Sequence, residues 1–478
     1  MKLKSTFSCL LAVPAVVFAI RQHPLSTSSP ASRIDKSDGY DANAFVPVGT
    51  LRALSTSQFT TLTHPLFPNL SARIKQTDWC DEQVGRSDPD KDDIVFWTNG
   101  ELGAWTEPIV DLKTVENSTS GPMIKPNKDA CNTNANVFFV DQPVGVGFSY
   151  AEYGQHVDTT EEAAQDIAAF VVLFLEHFSS FKGRALHMAG ESYGGRYLPL
   201  FASAIYDQNA ALEESMRVNL SSVLIGNGLT DMMATELSYY TFACTSAPGV
   251  PPVLDISTCA RMSQAVKRCE TVITEACVNV FDSMNCQSAY TFCSSELEQP
   301  MFDSGLNPYD VSRPCEGDIA DTLCYPITKV ASQYLSDPEL RATLGVDPAV
   351  PETFAACSDT VSNNFGVSQD TLHSSVPYIT ALLERGVRVL LYVGEYDWIC
   401  NWVGNERWSL AMEWSGHDAF NAQELKPWLV DGKVAGKTRS AHNLTFATVA
   451  GAGHMVPYNK PKEALALVNL WLAGEVPA

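Results

Sequence analysis

Three features that the sequence lacks narrow the classes of function. After the first twenty residues, no apolar run reaches the roughly 18 residues that a membrane span requires. Basic residues are few: 32 Lys and Arg against 55 Asp and Glu give a net charge of −23, and no basic cluster is present, which argues against a nucleic-acid partner. No His-Glu-x-x-His motif and no pair of short-spaced cysteine couples is present, so we expect neither a metal site nor a cofactor.

The N-terminus has the pattern of a secretory signal. Lys2 and Lys4 precede an apolar run that ends in the small-residue site Val17-Phe18-Ala19. The run is too short for a membrane span, so residues 1–19 are predicted to be a signal peptide. Residues 20–45 are polar and Ser-rich, as in a linker or short propeptide. We therefore expect the protein in the secretory pathway, with the vacuole or the extracellular space as its destination.

Glycosylation motifs and cysteines agree with that route. Four Asn-x-Ser/Thr motifs predict glycans at Asn69, Asn117, Asn219 and Asn443. The chain has 13 cysteines, and eight of them lie between residues 244 and 324, in a stretch with weak hydrophobic periodicity. This density is typical of a disulfide-stapled, loop-rich segment in an oxidising compartment. Spacing alone leaves about 105 pairings of eight cysteines open.

A strand, a Gly-x-Ser-x-Gly turn and an amphipathic helix follow one another around Ser192. A short apolar run ends at Ala189, Gly190 and Gly194 flank the serine, and apolar residues then recur at helical spacing. This order is typical of a nucleophile elbow, whose glycines allow a sharp turn and close backbone contacts. The start of the helix also stabilises negative charge beside the serine. We predict that Ser192 is a nucleophile.

An elbow serine requires an acid and then a histidine, in that order along the chain. Of the nine histidines, His454 lies in a glycine-rich loop after an apolar run and is the candidate base. Asp397 follows another buried strand and is the candidate acid. Glu395 is its rival, but we expect that side chain to be solvated. We expect His187, on the elbow strand, to be a packed residue.

Several longer motifs carry a resemblance to a known family. They are the stretches 141–150, Glu191 to Tyr193, 225–231, 396–402 and 453–457. In these motifs and in their order the chain resembles the serine carboxypeptidases, and most closely the fungal carboxypeptidase Y group. The resemblance implies an α/β-hydrolase fold with Ser192, Asp397 and His454 as the catalytic triad, acting on peptides or proteins with a free C-terminus.

The resemblance also implies a domain organisation. The hydrolase core is expected over 46–240 and 331–478, with a disulfide-rich, mainly helical inserted lobe over 241–330. Four nested disulfides of that lobe follow from the family: Cys244–Cys259, Cys269–Cys293, Cys277–Cys286 and Cys315–Cys324.

One loop of the family pattern is missing. In the family, the strand that ends Trp-x-Asn-Gly continues with a second glycine and a Pro-Gly-Cys-Ser-Ser loop, whereas here Asn99-Gly100 runs directly into Glu101. A second gap lies just upstream, near residue 85, where the family has a strand pair. The clean excisions beside intact motifs favour a gene-model error over a real variant.

The missing glycine bears on the oxyanion hole. The expected oxyanion donors are the backbone N–H of Tyr193 and that of the missing glycine, which leaves Gly100 as the candidate second donor and Glu101 at the vacated position. Losing one donor costs on the order of a hundred- to a thousand-fold in rate. Cys357 resembles the partner of the lost loop cysteine, so we expect it to lack a disulfide. Cys80 and Cys131 have no assigned partner.

Two acids are expected to recognise the substrate terminus. By resemblance, Glu191 and Glu101 share a proton and bind the free carboxylate at acid pH, with help from the N–H groups of Asn99 and Gly100. The predicted activity is therefore that of a serine-type carboxypeptidase, impaired by the missing loop. An esterase or acyltransferase, and a catalytically dead binding glycoprotein, are the alternatives.

Overall fold

The structure is a computed structural model, and it describes residues 47–49, 60–74, 88, 90–98, 110–111, 125–151, 155–247 and 249–478. The predicted signal peptide and the predicted linker both lie outside the described residues. Within them, no helix has the length and apolar character that crossing a membrane would require.

A central sheet of eight strands organises the molecule. In spatial order it runs β10, β11, β12, β9, β8, β7, β3, β6, and the strands from β12 to β6 are parallel. Their bounds are β3 Ile94–Trp97, β6 Asn136–Phe139, β7 Leu186–Glu191, β8 Leu220–Gly226, β9 Arg388–Gly394, β10 Lys426–Val430, β11 Lys433–Ala441 and β12 Leu444–Val449. Two small antiparallel pairs lie outside it: β1 Thr60–His64 with β2 Phe67–Ile74, and β4 Val110–Asp111 with β5 Lys125–Pro126.

The parallel strands are apolar on both faces, because helices cover the sheet on either side. Alternate residues of β8 show this: Leu224 belongs to one buried cluster, and Val223 and Ile225 belong to the other. The near-continuous apolar runs of the sequence therefore mark strands at the centre of the sheet.

The described helices precede, follow or connect these strands. They are α1 Thr160–His177, α2 Gly194–Asn209, α3 Met232–Glu236, α4 Tyr239–Cys244, α5 Ile256–Ile273, α6 Ser283–Cys293, α7 Gln299–Asp303, α8 Ile319–Thr322, α9 Ile327–Leu335, α10 Pro338–Leu344, α11 Asp359–Val367, α12 Val376–Glu384, α13 Trp402–Ala411, α14 His417–Asn421, α15 Val456–Asn459 and α16 Pro461–Leu472. The order of strands and helices, with a mixed sheet covered on both faces, is that of an α/β-hydrolase fold, as expected.

The segment between β8 and β9 contains the cysteine-rich helices. The structure has the four disulfides that the resemblance implies: Cys244–Cys259, Cys269–Cys293, Cys277–Cys286 and Cys315–Cys324. Helices α5 and α6 pack against each other within this segment. The segment 241–330 is thus mainly helical and disulfide-rich, and its exact limits as a lobe stay a prediction.

The expectation for Cys357 is wrong. Its sulfur is disulfide-bonded. A disulfide at Cys357 therefore forms without the cysteine of the excised loop. Cys131 and Cys400 carry buried thiols outside any disulfide, and burial raises the pKa of the Cys131 thiol to about 12. Cys80 lies outside the described residues.

The predicted glycosylation sites differ in accessibility. Asn219, at the turn before β8, is exposed, and Asn443, between β11 and β12, is half-buried. Asn69 lies on β2, and Asn117 lies outside the described residues. All four remain predictions.

Candidate active site

The three candidate catalytic residues follow the carboxyl ends of three parallel strands. Ser192 follows β7, Asp397 follows β9 and His454 follows β12. Strands β7, β8, β9 and β12 are consecutive neighbours in the sheet. Parallel strands end at one edge of a sheet, so the three residues lie along the same edge, where α/β proteins bind ligands.

Ser192 lies in a strained turn. Its φ is 61°, in the left-handed region that residues with a side chain rarely adopt. Its backbone N–H donates to Gly226 O at 3.0 Å, which anchors the turn to the end of β8. Gly190 is required because a Cβ there would collide with the carbonyl oxygen of Thr98. Contacts with the backbone of Gly226 and of Thr98, on either side of the turn, therefore hold the elbow in this conformation.

His454 and Asp397 form a buried pair. The Nδ1 atom of His454 lies 2.9 Å from Oδ2 of Asp397, and both side chains are buried. A carboxylate at Nδ1 makes that nitrogen the N–H donor and leaves Nε2 as the basic nitrogen. This is the tautomer that a general base for a serine requires.

Asn227 holds the acid in place, a role that sequence reasoning missed. Its Nδ2 donates to Asp397 Oδ2 at 2.7 Å, and its Oδ1 accepts from the Gly394 N–H at 3.1 Å. Asn227 is fully buried and has a φ of 41°, a conformation that asparagine tolerates better than most residues. Its motif, 225–231, was recognised as a family match but without a role.

A short segment, Asn307–Val311, links the acid loop to the histidine loop. The carbonyl of Pro308 accepts from the N–H groups of Trp398 and Ile399 at 3.0 and 3.1 Å. The carbonyl of Tyr309 accepts from the His454 N–H at 2.7 Å, and the Tyr309 ring lies edge-on to the imidazole, with centroids 5.2 Å apart. We call this segment the strap. It ties both loops together through its backbone.

The rival residues have other contacts. Glu395 is partly exposed and accepts a hydrogen bond from Thr448 Oγ1 at 2.8 Å. His187 is buried on β7, with its Nδ1 2.6 Å from Ser222 Oγ and its Nε2 3.4 Å from Asp93. His187 is thus a packed residue, as expected, whereas Glu395 is only partly solvated.

Glu191, next to the candidate nucleophile, is a buried acid with a raised pKa. The side chain is buried, and burial raises the pKa of Glu191 to about 8. The Tyr392 hydroxyl donates to its Oε1 at 3.3 Å. A carboxyl group kept neutral in this way can donate a hydrogen bond to an anion.

A buried polar network fixes the side chain of Tyr193, the residue whose N–H is the candidate oxyanion donor. Its hydroxyl donates to Asp370 Oδ2 at 2.7 Å. The same carboxylate accepts from Arg196 Nη2 at 3.3 Å and from Thr160 Oγ1 at 2.6 Å. Asp370 is 177 residues from Tyr193 along the chain, so no local pattern in the sequence could indicate this contact.

An open cleft borders the nucleophile. Its lining includes Ser192, Tyr193, Leu229, Tyr239, Ile399 and Cys400. The Cys400 sulfur, a carboxylate oxygen of Asp397 and a ring nitrogen of His454 all lie within 4.8 Å of one another. These ligand types could hold a thiophilic metal ion, which would then remove His454 from proton transfer.

Asn99, Gly100 and Glu101 lie outside the described residues, and their predicted roles stay predictions.

Comparison with known proteins identifies the family. The model of the serine carboxypeptidase family matches residues 83–474. A carboxypeptidase Y homolog A from Talaromyces marneffei is 39% identical over 399 residues, which cover 82% of this chain and 68% of the relative. A protein of the same name from Ajellomyces capsulatus is 37% identical over 395 residues, covering 82% and 70%.

A solved structure gives the fold independently. The prohormone-processing carboxypeptidase Kex1(delta)p from Saccharomyces cerevisiae superposes with a TM-score of 0.68 at 21% identity, over 87% of this chain and 90% of that one. With an elbow serine, a buried His–Asp pair and a family match along most of its length, the chain belongs to the serine carboxypeptidase family.

Proposed function

We propose that the protein is a serine-type carboxypeptidase that releases C-terminal amino acids from peptides through an acyl-enzyme at acid pH. The observation that carries the proposal is the 2.9 Å contact between His454 Nδ1 and Asp397, on neighbouring loops of the sheet edge that also bears the strained Ser192. Strain at a non-glycine residue persists only where surrounding contacts enforce it, and it is concentrated at functional sites.

The residues divide the reaction between them. His454 Nε2 takes the proton of the Ser192 hydroxyl as the oxygen attacks the substrate carbonyl, and Asp397 stabilises the imidazolium that forms. The Tyr193 N–H donates to the developing oxyanion. His454 then gives its proton to the leaving amine, and a water molecule, activated by the same imidazole, hydrolyses the acyl-enzyme.

Glu191 supplies the preference for a free terminus. In its protonated form it donates a hydrogen bond to the carboxylate of the last substrate residue. Glu101, Asn99 and Gly100 are the further groups proposed to bind that carboxylate. The natural substrates are peptides or proteins that meet the enzyme in the secretory pathway, in the vacuole or outside the cell.

The missing loop is proposed to weaken catalysis. Ser192, Asp397 and His454 lie far along the chain from the excision, so their geometry is expected to be preserved. The second oxyanion donor is not, since Gly100 or Glu101 would have to replace a glycine in a different loop. Inserting the family's Gly-Pro-Gly-Cys-Ser-Ser segment, with the residues that lead to Glu101, should raise peptide turnover. An equal rate in the chain as written would show that the loop is not needed.

Labelling with a fluorophosphonate probe tests the nucleophile. The parent chain should react at Ser192, and Ser192→Ala should not, while its circular dichroism stays unchanged. Ser288→Ala, at an exposed serine of helix α6, is the matched control and should label like the parent. Labelling of Ser192→Ala at the parental rate would refute the assignment. Absence of labelling in the parent would favour the binding glycoprotein, and ester turnover without peptide turnover would favour the esterase or acyltransferase.

A further inference from the structure

Two buried acids lie beside the cleft and take no part in the mechanism above. Glu236, the last residue of helix α3, is 0% exposed, and Glu298 is 2% exposed. Glu298 ends a single π-helical turn, Ser294–Glu298, that packs against α3. It also lines the same cleft as Ser192.

The two carboxyl groups lack the partners that buried acids usually have. Both side-chain oxygens of Glu236 are buried and have no hydrogen-bond partner among the described residues. Glu298 has one: Oε2 accepts from the Ser294 hydroxyl at 2.6 Å. Among the described residues, the charge that acts on Glu236 is the other carboxyl, and no basic side chain neutralises the pair.

Burying such a pair of carboxyls lowers the stability of the folded protein. Burying a polar group without a hydrogen bond is unfavourable, and burying a charge without a counter-charge is more so. Burial raises the pKa of Glu298 to about 7. Burial and then the Glu298 charge hold the pKa of Glu236 well above its usual value. Acids kept in this state at the wall of a cleft are typical of a binding site that awaits its counter-charge.

The surroundings fit a long side chain with a cationic end. Two buried aromatic residues, Tyr239 and Tyr290, line the cleft together with Glu298. The Tyr239 hydroxyl is held by the carbonyl of Ile399, at 3.0 Å, next to the acid loop. The tyrosine rings offer apolar walls for a methylene chain, and the acids lie where its charged end would require a partner.

We propose that Glu236 and Glu298 select a lysine or arginine side chain on the substrate residue whose carbonyl Ser192 attacks. The proposal rests on the proposed function, because it takes Ser192 as the nucleophile that defines this residue. A cation bound at the cleft wall favours the ionised form of the acids beside it, so Glu298 contacts the cation as a carboxylate and Glu236 lies directly behind Glu298. Both are specificity-determining residues, and neither takes part in proton transfer.

Matched phosphonate probes test the selection. Diphenyl aminoalkylphosphonates place one side chain next to the phosphorus that the serine attacks, with phenolate as the leaving group. A lysine-type probe should label Ser192 faster than a norleucine-type probe, which has the same chain length without the ammonium group. We expect a ratio on the order of ten- to a hundred-fold, the usual value of a hydrogen bond to a buried charge.

Conservative variants test whether Glu298 and Glu236 cause the lysine-to-norleucine ratio. In Glu298→Gln and in the double variant with Glu236→Gln, the lysine-to-norleucine ratio should fall towards one, because an amide carries no charge to pair with the ammonium group. Glu296→Gln, in the same turn but outside the cleft lining, is the control and should keep the parental ratio. A parental ratio near one, or a basic preference only for the released residue, would overturn the proposal.

A binding measurement separates this proposal from the catalytic one. Should neither probe label the parent, Ser192 is not a competent nucleophile and the proposed function fails. N-acetyl-lysine and N-acetyl-norleucine can then be compared for the shift that each causes in the melting temperature, which requires no catalysis. A larger shift with N-acetyl-lysine that disappears in the double variant supports the acid pair as a cation site, and equal shifts overturn it.

Discussion

At the scale of single residues, Asp397 and Glu395 provide a comparison within one loop. Asp397 contacts His454, whereas Glu395 contacts Thr448. Asp397→Asn should lower the rate of acylation by roughly ten-thousand-fold, because an amide no longer enforces the correct histidine tautomer. Glu395→Gln should react at nearly the parental rate. Acylation by an active ester measures both, and a large loss in Glu395→Gln with a small one in Asp397→Asn would reverse the assignment.

Glu191 should control the pH dependence of peptide hydrolysis. Its carboxyl must be protonated to bind a terminal carboxylate, and its pKa is raised to about 8 by burial. Peptidase activity should therefore be present at acid pH and decline as the pH rises through about 8. Glu191→Gln, which always donates, should flatten that decline. An amide substrate without a free terminus is the control, and a decline of equal size in the variant would contradict this role.

Single residues also show what the sequence could and could not reveal. Ser192 and His454 were predicted because glycines and apolar strands surround them in the chain. Asn227 was not, because its contact with Asp397 depends on the alignment of β8 with β9. Glu236 and Glu298 were missed because neither lies in a recognised motif; they come together only where helix α3 meets the turn after α6.

At the scale of elements, the strap makes the histidine loop sensitive to small changes. Gly453 lies against it, and a Cβ there would collide with the Tyr309 carbonyl and the Asp310 side chain. Gly453→Ala should therefore displace His454 and lower kcat by on the order of a hundred-fold. It should also lower stability by roughly 1–3 kcal/mol.

The control for this variant is another glycine with room for a methyl group. Gly366, in helix α11, has open space around its Cβ position, and alanine there should be neutral or stabilising by up to about 1 kcal/mol. Thermal unfolding and peptide kinetics measure both variants. Full kcat in Gly453→Ala would show that the strap does not position His454.

The strands and helices themselves were easier to predict from the sequence than the contacts that they make with one another. Strands β7, β9 and β12 were recognisable as apolar runs, and the disulfide-rich helices by their cysteines. The strap was not predicted, because its hydrogen bonds come from backbone carbonyls that any residue supplies. Cys357 was judged from a family contact, and the prediction failed because a disulfide can form with another cysteine of the chain.

At the scale of the whole molecule, buried acids make stability depend on pH. Burial raises the pKa of Glu191 and Glu298 to about 8 and about 7, from 4.5. Between pH 4.5 and those values the folded state binds more protons than the unfolded state, so the free energy of unfolding falls as the pH rises. The loss between pH 5 and 8 should be on the order of a few kcal/mol.

Urea unfolding at several pH values measures this dependence. Glu298→Gln should reduce the slope of stability against pH, and Glu296→Gln should leave it unchanged. The acids with lowered pKa values, Asp88, Asp255 and Asp431, titrate below this range and do not contribute. Stability that rises between pH 5 and 8 would contradict the burial of these carboxyls.

The strap has a mechanical consequence for the whole enzyme. It lies within the cysteine-rich segment and holds, through Pro308 and Tyr309, the two loops that carry the acid and the base. That segment also supplies Glu298 and Tyr290 to the cleft wall. Any hinge motion that widens the entrance would therefore pull on the imidazole as well. Admission of a substrate and alignment of the proton shuttle would then be mechanically coupled.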